Sequence, residues 1–224
     1  KHNIKFNFEN AWQAMSVFLP HVVVYNVVRP AMVVVLIMVM GVGSWVATVS
    51  ASYESLPGDW LYPAKRVAEK TQVAVSAAVG NKNEVAKLHG EFALRRAIET
   101  RDIVSQNNPD KLKIASETVD DLKDEMNTVN SKLEEIKTTL DSGSEVVKNI
   151  NQNAQEITDV LKAVKVNLLI STDDTGASNL SSQVSEVKTM VKDTAVKAVE
   201  VMVEKHLQGD VSVSKDDVKQ AISD

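Results

Sequence analysis

The chain's histidines, His2, His21, His89 and His206, stand too far apart to form an HxxxH or HExxH pair, so they predict no zinc centre. Asp173 and Asp174, with Thr172, Thr175 and Gly176, outline a calcium loop but lack its 1-3-5-12 ligand spacing. With no cysteine there is no thiolate nucleophile, thiolate metal site or disulfide. GxGxxG, P-loop and GxSxG motifs are missing, as is a basic patch interleaved with aromatics. The expectation is therefore no catalytic, cofactor-binding or metal-binding residue, and no enzyme.

One stretch does carry information: Ser55, Leu56, Pro57, Gly58, Asp59, Trp60, Leu61, Tyr62, Pro63 and Lys65. Its chemistry is conformational. Pro57 and Gly58 suit the central positions of a type II turn, where proline fixes φ and glycine accepts a positive one. Pro63 suits the first turn of a helix, where its missing N–H costs nothing. The stretch predicts a rigid elbow, with Leu56, Trp60, Leu61 and Tyr62 folding back as an apolar cap. Further on, Arg95, Arg96 and Arg101 face Glu91, Glu99 and Asp102, which reads as surface ion pairing along a helix rather than an anion site.

These residues carry a resemblance. The run at Ser55, Leu56, Pro57, Gly58, Asp59, Leu61, Tyr62 and Lys65 resembles the signature S-L-P-G-D-x-L-Y-x-x-K of bacterial proteins with domain of unknown function 5667. There the signature follows a transmembrane segment directly. Glu69, then Lys87, Leu88, Ala93, Arg95, Arg96, Ala97 and Glu99, are similar to that family's second helix, and the resemblance covers about residues 52–105. It implies a membrane-anchored protein. Some relatives are anti-sigma-factor-like, although the His/Cys zinc module of many anti-sigma factors has no counterpart here.

Such an elbow needs elements on both sides to position it. Upstream, 24 consecutive residues between Arg29 and Glu54 carry no charge. Residues 31–51 within that run make a helix about 31 Å long, which matches a hydrocarbon core of about 30 Å and predicts a transmembrane helix. The length of the run favours an uncleaved anchor over an export signal with Val49-Ser50-Ala51 as its cleavage site. Residues 1–51 carry Lys1, Lys5 and Arg29 against Glu9, net +2; the chain total of −5 leaves −7 for residues 52–224. The positive-inside tendency then puts the N-terminus in the cytoplasm and the large C-terminal part outside. The uncharged stretch around Trp12, Met15, Phe18 and Leu19 reads as a cytoplasmic interfacial segment within residues 1–30. Beginning at Lys1, the sequence also reads as a piece of something longer.

Downstream everything reads helical. Nine of the ten aromatics and four of the five prolines lie before residue 64, and the aromatic-poor remainder lacks the turn punctuation of β folds. A hairpin is expected over 52–108, with helices at 63–79 and 84–106 closed by Gly80 as a C′ cap. A coiled-coil-like extension is expected over 109–224. There Leu112, Ala115, Val119, Leu122, Met126, Val129, Leu133, Ile136 and Leu140 form a heptad seam, taken up again by Val147, Ile150, Ala154, Ile157, Leu161, Val164 and Leu168. The turn chemistry at 141–144 favours two helices folded back on each other over one stalk across 111–170. After a polar loop at 171–178 comes a third helix to Leu207, then a short last one after Ser214. The fold class is all-α: a transmembrane helix followed by an elongated antiparallel bundle of coiled-coil hairpins.

The functional expectation is a single-pass bacterial membrane protein displaying an extracytoplasmic helical bundle for protein interaction. The alternative is a membrane-bound signalling regulator resembling anti-sigma factors. Expected partners are the lipid bilayer and an unknown protein. The acidic exterior argues against nucleic acid, and the small β-branched seams allow a homo-oligomer.

Overall fold

In a computed structural model the chain divides into two units, Lys1–Ala51 and Ser52–Asp224. The described residues are 32–33, 52–139, 143–170, 175–210 and 213–223. Met32 and Val33 are helical. The rest of the predicted transmembrane helix and the whole interfacial segment lie outside the described residues. Among those described, no helix is long and apolar enough to cross a membrane.

The second unit is all-helical among its described residues: α1 (Tyr62–Ala78), α2 (Lys82–Ser105), α3 (Leu112–Thr138), α4 (Ser144–Ile170), α5 (Thr175–Leu207) and α6 (Lys215–Ser223), with a 3-10 turn at Pro109–Lys111. Local chemistry sets the helix ends. Pro63 lies in the first turn of α1. Gly80, at φ +74°, closes that helix in a Schellman motif: its N–H reaches Ala77 O at 3.0 Å, and the Asn81 N–H reaches Ser76 O at 3.0 Å. Asn81 then caps α2, its Oδ1 accepting from Glu84 N at 3.0 Å. Gly209, at φ +90°, ends α5 in the same way as Gly80 ends α1. Ser214 and Asp217 cap α6 reciprocally through two 3.0 Å bonds.

Four long helices make the bundle. α2 packs against α3 and α4, and α5 packs against the same two. The Ser116–Gln183 and Asn130–Thr194 bonds show that α3 and α5 run parallel. Gly90 faces Ile150 and Asn83 faces Gly143, so α2 and α4 are parallel too. Two antiparallel hairpins, α2–α3 and α4–α5, therefore lie side by side. The chain does reverse between α3 and α4, which excludes one stalk over 111–170. These two helices do not fold onto each other as expected, however. They stand diagonally across the bundle and share α2 and α5 as partners. Gly143 makes that corner possible, because a Cβ there would fall 2.5 Å from Ile136 Cγ2.

The predicted seams are the core. Ala115 through Ile136 on α3, Val147 through Leu168 on α4, and Val184, Val187, Val191, Ala198 and Met202 on α5 are buried. One apolar cluster combines Ala93, Ala97 and Ile103 of α2 with α3, α4 and α5. The sequence division at residue 108 thus separates helices that share a core. The loop expected at 171–178 is shorter: α5 already begins at Thr175, and Ala177 packs inside. At the far end α6 lays Val218 and Ala221 against a second apolar cluster.

Candidate functional site

The elbow folds as its residue types dictate. The Asp59 N–H donates to Leu56 O at 2.9 Å, closing a turn with Gly58 at φ +97°. Asp59 Oδ2 accepts from the Leu56 N–H at 2.8 Å, and Ser55 Oγ donates to Ser52 O at 2.6 Å. Lys65 reaches back from α1 to donate to Ser55 O at 3.0 Å. A Cβ on Gly58 would come within 3.1 Å of Ile114 Cδ1, so the turn sits directly on the start of α3. Leu56, Leu61 and Tyr62 are half-buried, but Trp60 is 86% exposed and takes no part in the expected apolar cap.

Beneath the elbow lies a buried charge cluster. Arg96 is fully buried, and Lys65, Glu69 and Glu99 are nearly so. Arg96 Nη2 contacts both oxygens of Glu69 at 2.6 Å, while Nη1 donates to Glu99 Oε2 at 2.7 Å and also to the Tyr62 hydroxyl. Lys65 Nζ lies 2.6 Å from Glu99 Oε1. Tyr62 OH donates to Glu99 Oε2 at 3.2 Å, and burial pushes its phenol above the ordinary tyrosine range. Two buried cations and two buried carboxylates thus balance. Buried charge is tolerated only when paired and hydrogen-bonded in this way, since desolvation costs several kcal/mol per ion.

A half-exposed ring surrounds this centre. Arg95 donates to Glu69 Oε1 at 2.6 Å, and its guanidinium lies 5.6 Å from the Tyr53 ring centre and 5.3 Å from that of Phe92. Arg66 binds Glu69 at 3.2 Å and reaches Asp121 and Glu125 of α3 at 3.5 and 3.7 Å. His89 Nδ1 meets Glu125 Oε2 at 2.6 Å. The cluster ties α1, α2 and α3 together.

All eight signature residues gather in this one elbow and clasp. The pairing of Arg96 with Glu99 is not the surface pairing the sequence suggested. Ala68, Ala93 and Ala97 are buried here and keep the helices close, which carries the charges inside. Glu69, to which no pairing is assigned from sequence, is held here by Arg66, Arg95 and Arg96. The signal for it was Lys65 and Glu69 at i,i+4 on α1, opposite Arg96 and Glu99 at i,i+3 on α2.

Each carboxylate of the cluster is held by two or more cations, while Arg96 Nε is buried without a hydrogen-bond partner and Glu99 Oε1 is met only by the Lys65 ammonium. Among the described residues no group of three or more His, Asp or Glu could hold a metal. His206 Nδ1 is occupied by Val213 O at 2.9 Å. Thr175 and Gly176 of the faint calcium pattern belong to α5. Elsewhere, an open groove of about 1230 Å³ runs between α4 and α5, with Val196, Val199 and Val203 on one wall and Asn151 and Gln155 on the other.

The family described as Domain of unknown function (DUF5667) matches residues 54–169, and the chain belongs to it. The match runs well past the 52–105 of the expected resemblance, through α1 to α4, and stops before α5. No curated protein and no solved structure matches the chain.

Proposed function

We propose that this member of the DUF5667 family is a single-pass bacterial membrane protein whose helical bundle stands outside the cytoplasm and works through protein contacts rather than catalysis. The observation that carries this reading is the internal commitment of the signature. Its turn and its lysine, with Arg96, Glu69 and Glu99, bind one another, and the lysine, the arginine and both glutamates are enclosed. A run of residues committed to one another in this way builds a scaffold. Large apolar side chains stand out on the elbow, on α1 and at its C-cap instead, with Trp60 86%, Val75 59% and Val79 74% exposed, which suits contact with another protein. The apolar run before Ser52 and the charge asymmetry across it support the membrane anchor and its direction.

A reporter active only outside the cytoplasm, fused after residue 105, is expected to be active, and one fused before Arg29 inactive. The reverse pattern overturns the orientation. In the same cells a photoreactive residue at Trp60 or Val79 is expected to give discrete protein adducts. Their absence at both positions removes the contact role.

A further inference from the structure

The two flanks of α5 differ in how their charges are met. Toward α3, Lys123 pairs with Glu186, Lys197 with Glu134 at 2.7 Å, and Glu204 with Lys137 at 3.7 Å. On the outward face, Lys192 and Glu200 have no ion-pair partner among the described residues, and both line the groove beside α4. Val196 lies midway between them, one helical turn from each, and is 60% exposed. Ala195 and Val199 extend the apolar strip on the groove side.

Charge is also graded along this face. Lys162 and Lys165 of α4 gather with Lys188 and Lys192 of α5 at one end, where Asp159 offsets Lys162 at 2.7 Å and leaves the end net basic; burial, together with the other three lysines, holds Lys188 below the ordinary lysine range. Glu200 occupies the other end, with Glu204, paired to Lys137 of α3, one turn beyond it. The face is therefore apolar at its middle, basic on one side and acidic on the other. The matching surface for it has the same three features in reversed order.

We propose that the partner is a second copy of this chain, docked through the same face with the two α5 helices antiparallel about a twofold axis at Val196. That axis exchanges positions four residues either side of 196, so Lys192 of each copy meets Glu200 of the other while the two Val196 side chains pack together. A parallel arrangement would set lysine against lysine and leave both charges unpaired. An unrelated helix carries no requirement for this internal symmetry of the sequence Lys192, Val196, Glu200.

The chain has no cysteine, so a single Val196→Cys substitution gives a clean cross-linking probe in the whole chain in a detergent extract of the expressing cells, where copies meet in any orientation and other proteins are present. Lys113→Cys, at an 87% exposed side chain on α3, is the control. Mild oxidation is expected to give disulfide-linked dimers at Val196→Cys at least about tenfold faster than at Lys113→Cys. Adding Lys192→Glu, or separately Glu200→Lys, is expected to slow the reaction by about tenfold, the scale of one lost pair of charge contacts. The two swaps together restore it. Equal rates at positions 196 and 113, loss without rescue in the double swap, or adducts with other proteins in place of dimers would each overturn the proposal. All three sites are exposed, so circular dichroism is expected to stay unchanged and a folding defect is distinguishable from a lost interface.

Discussion

Arg96 is the residue on which most else depends. It is completely enclosed, and its guanidinium serves Glu69, Glu99 and Tyr62 at once. Removing it leaves two carboxylates buried with fewer partners, a change that costs about 3–5 kcal/mol when one side of a buried pair is deleted. Arg96→Ala is therefore expected to lower the urea midpoint of the helical signal sharply. Arg96→Lys is expected to recover less than half of that loss, because an ammonium cannot span both carboxylates as a planar fork does. Recovery to the wild-type midpoint by lysine would show that charge alone, not geometry, holds the clasp. The elbow was legible because a proline-glycine turn is decided by its own φ angles. The charge cluster was not. Arg96 and Glu99 at i,i+3 look the same in sequence whether a helix faces water or another helix, and the alanines that bring α1 onto α2 announce nothing about which charges they enclose.

Among the elements, the caps and seams follow from local pattern, whereas partner choice does not. The heptads told which stripe of α3 and α4 is buried, yet a stripe does not name the helix that covers it. The diagonal placement rests on a close approach at Gly143, which becomes visible only beside Ile136. The smallest element, α6, is held by Lys148 and by Ser214, and these bonds depress the Asp217 carboxyl from 3.8 to about 2. The sign is that of a lowered acid: the stabilisation is present above the ordinary value of 3.8 and is lost as pH falls through about 2. Hydrogen-exchange protection of α6 amides, corrected for intrinsic rate, is expected to fall across that window. Asp217→Asn should show weak protection at neutral pH and no further step in acid. An acid step that survives in the variant would assign it to other carboxylates.

At the scale of the whole molecule, the family match ends at residue 169, but the core does not. Leu180, Val184, Val187 and Val191 of α5 belong to the same cluster as Ala97, Val119 and Leu161. A chain ending at residue 169 uncovers one side of that cluster, and each large apolar side chain so exposed forfeits about 1.5–3 kcal/mol. Such a chain is expected to lose cooperative unfolding, read as a broad, shallow urea transition. A sharp transition with an unchanged midpoint would show that α1 to α4 suffice. The all-helical class was legible from the aliphatic seams and the scarcity of turn residues.

The elbow's seat on Ile114, the bond from Ser144 to Asp210 and the docking of α6 on Lys148 also fix where the second unit begins and where it finishes. Ile114 opens α3 and Ser144 follows its close, so these points are separated by most of that helix, roughly 35 Å along the bundle. Tension applied between Ser52 and Ser223 would accordingly run parallel to the helices. It would meet them in shear, where many side-chain contacts must slip together, and the first to feel it would be the short tether from Lys65 to Ser55.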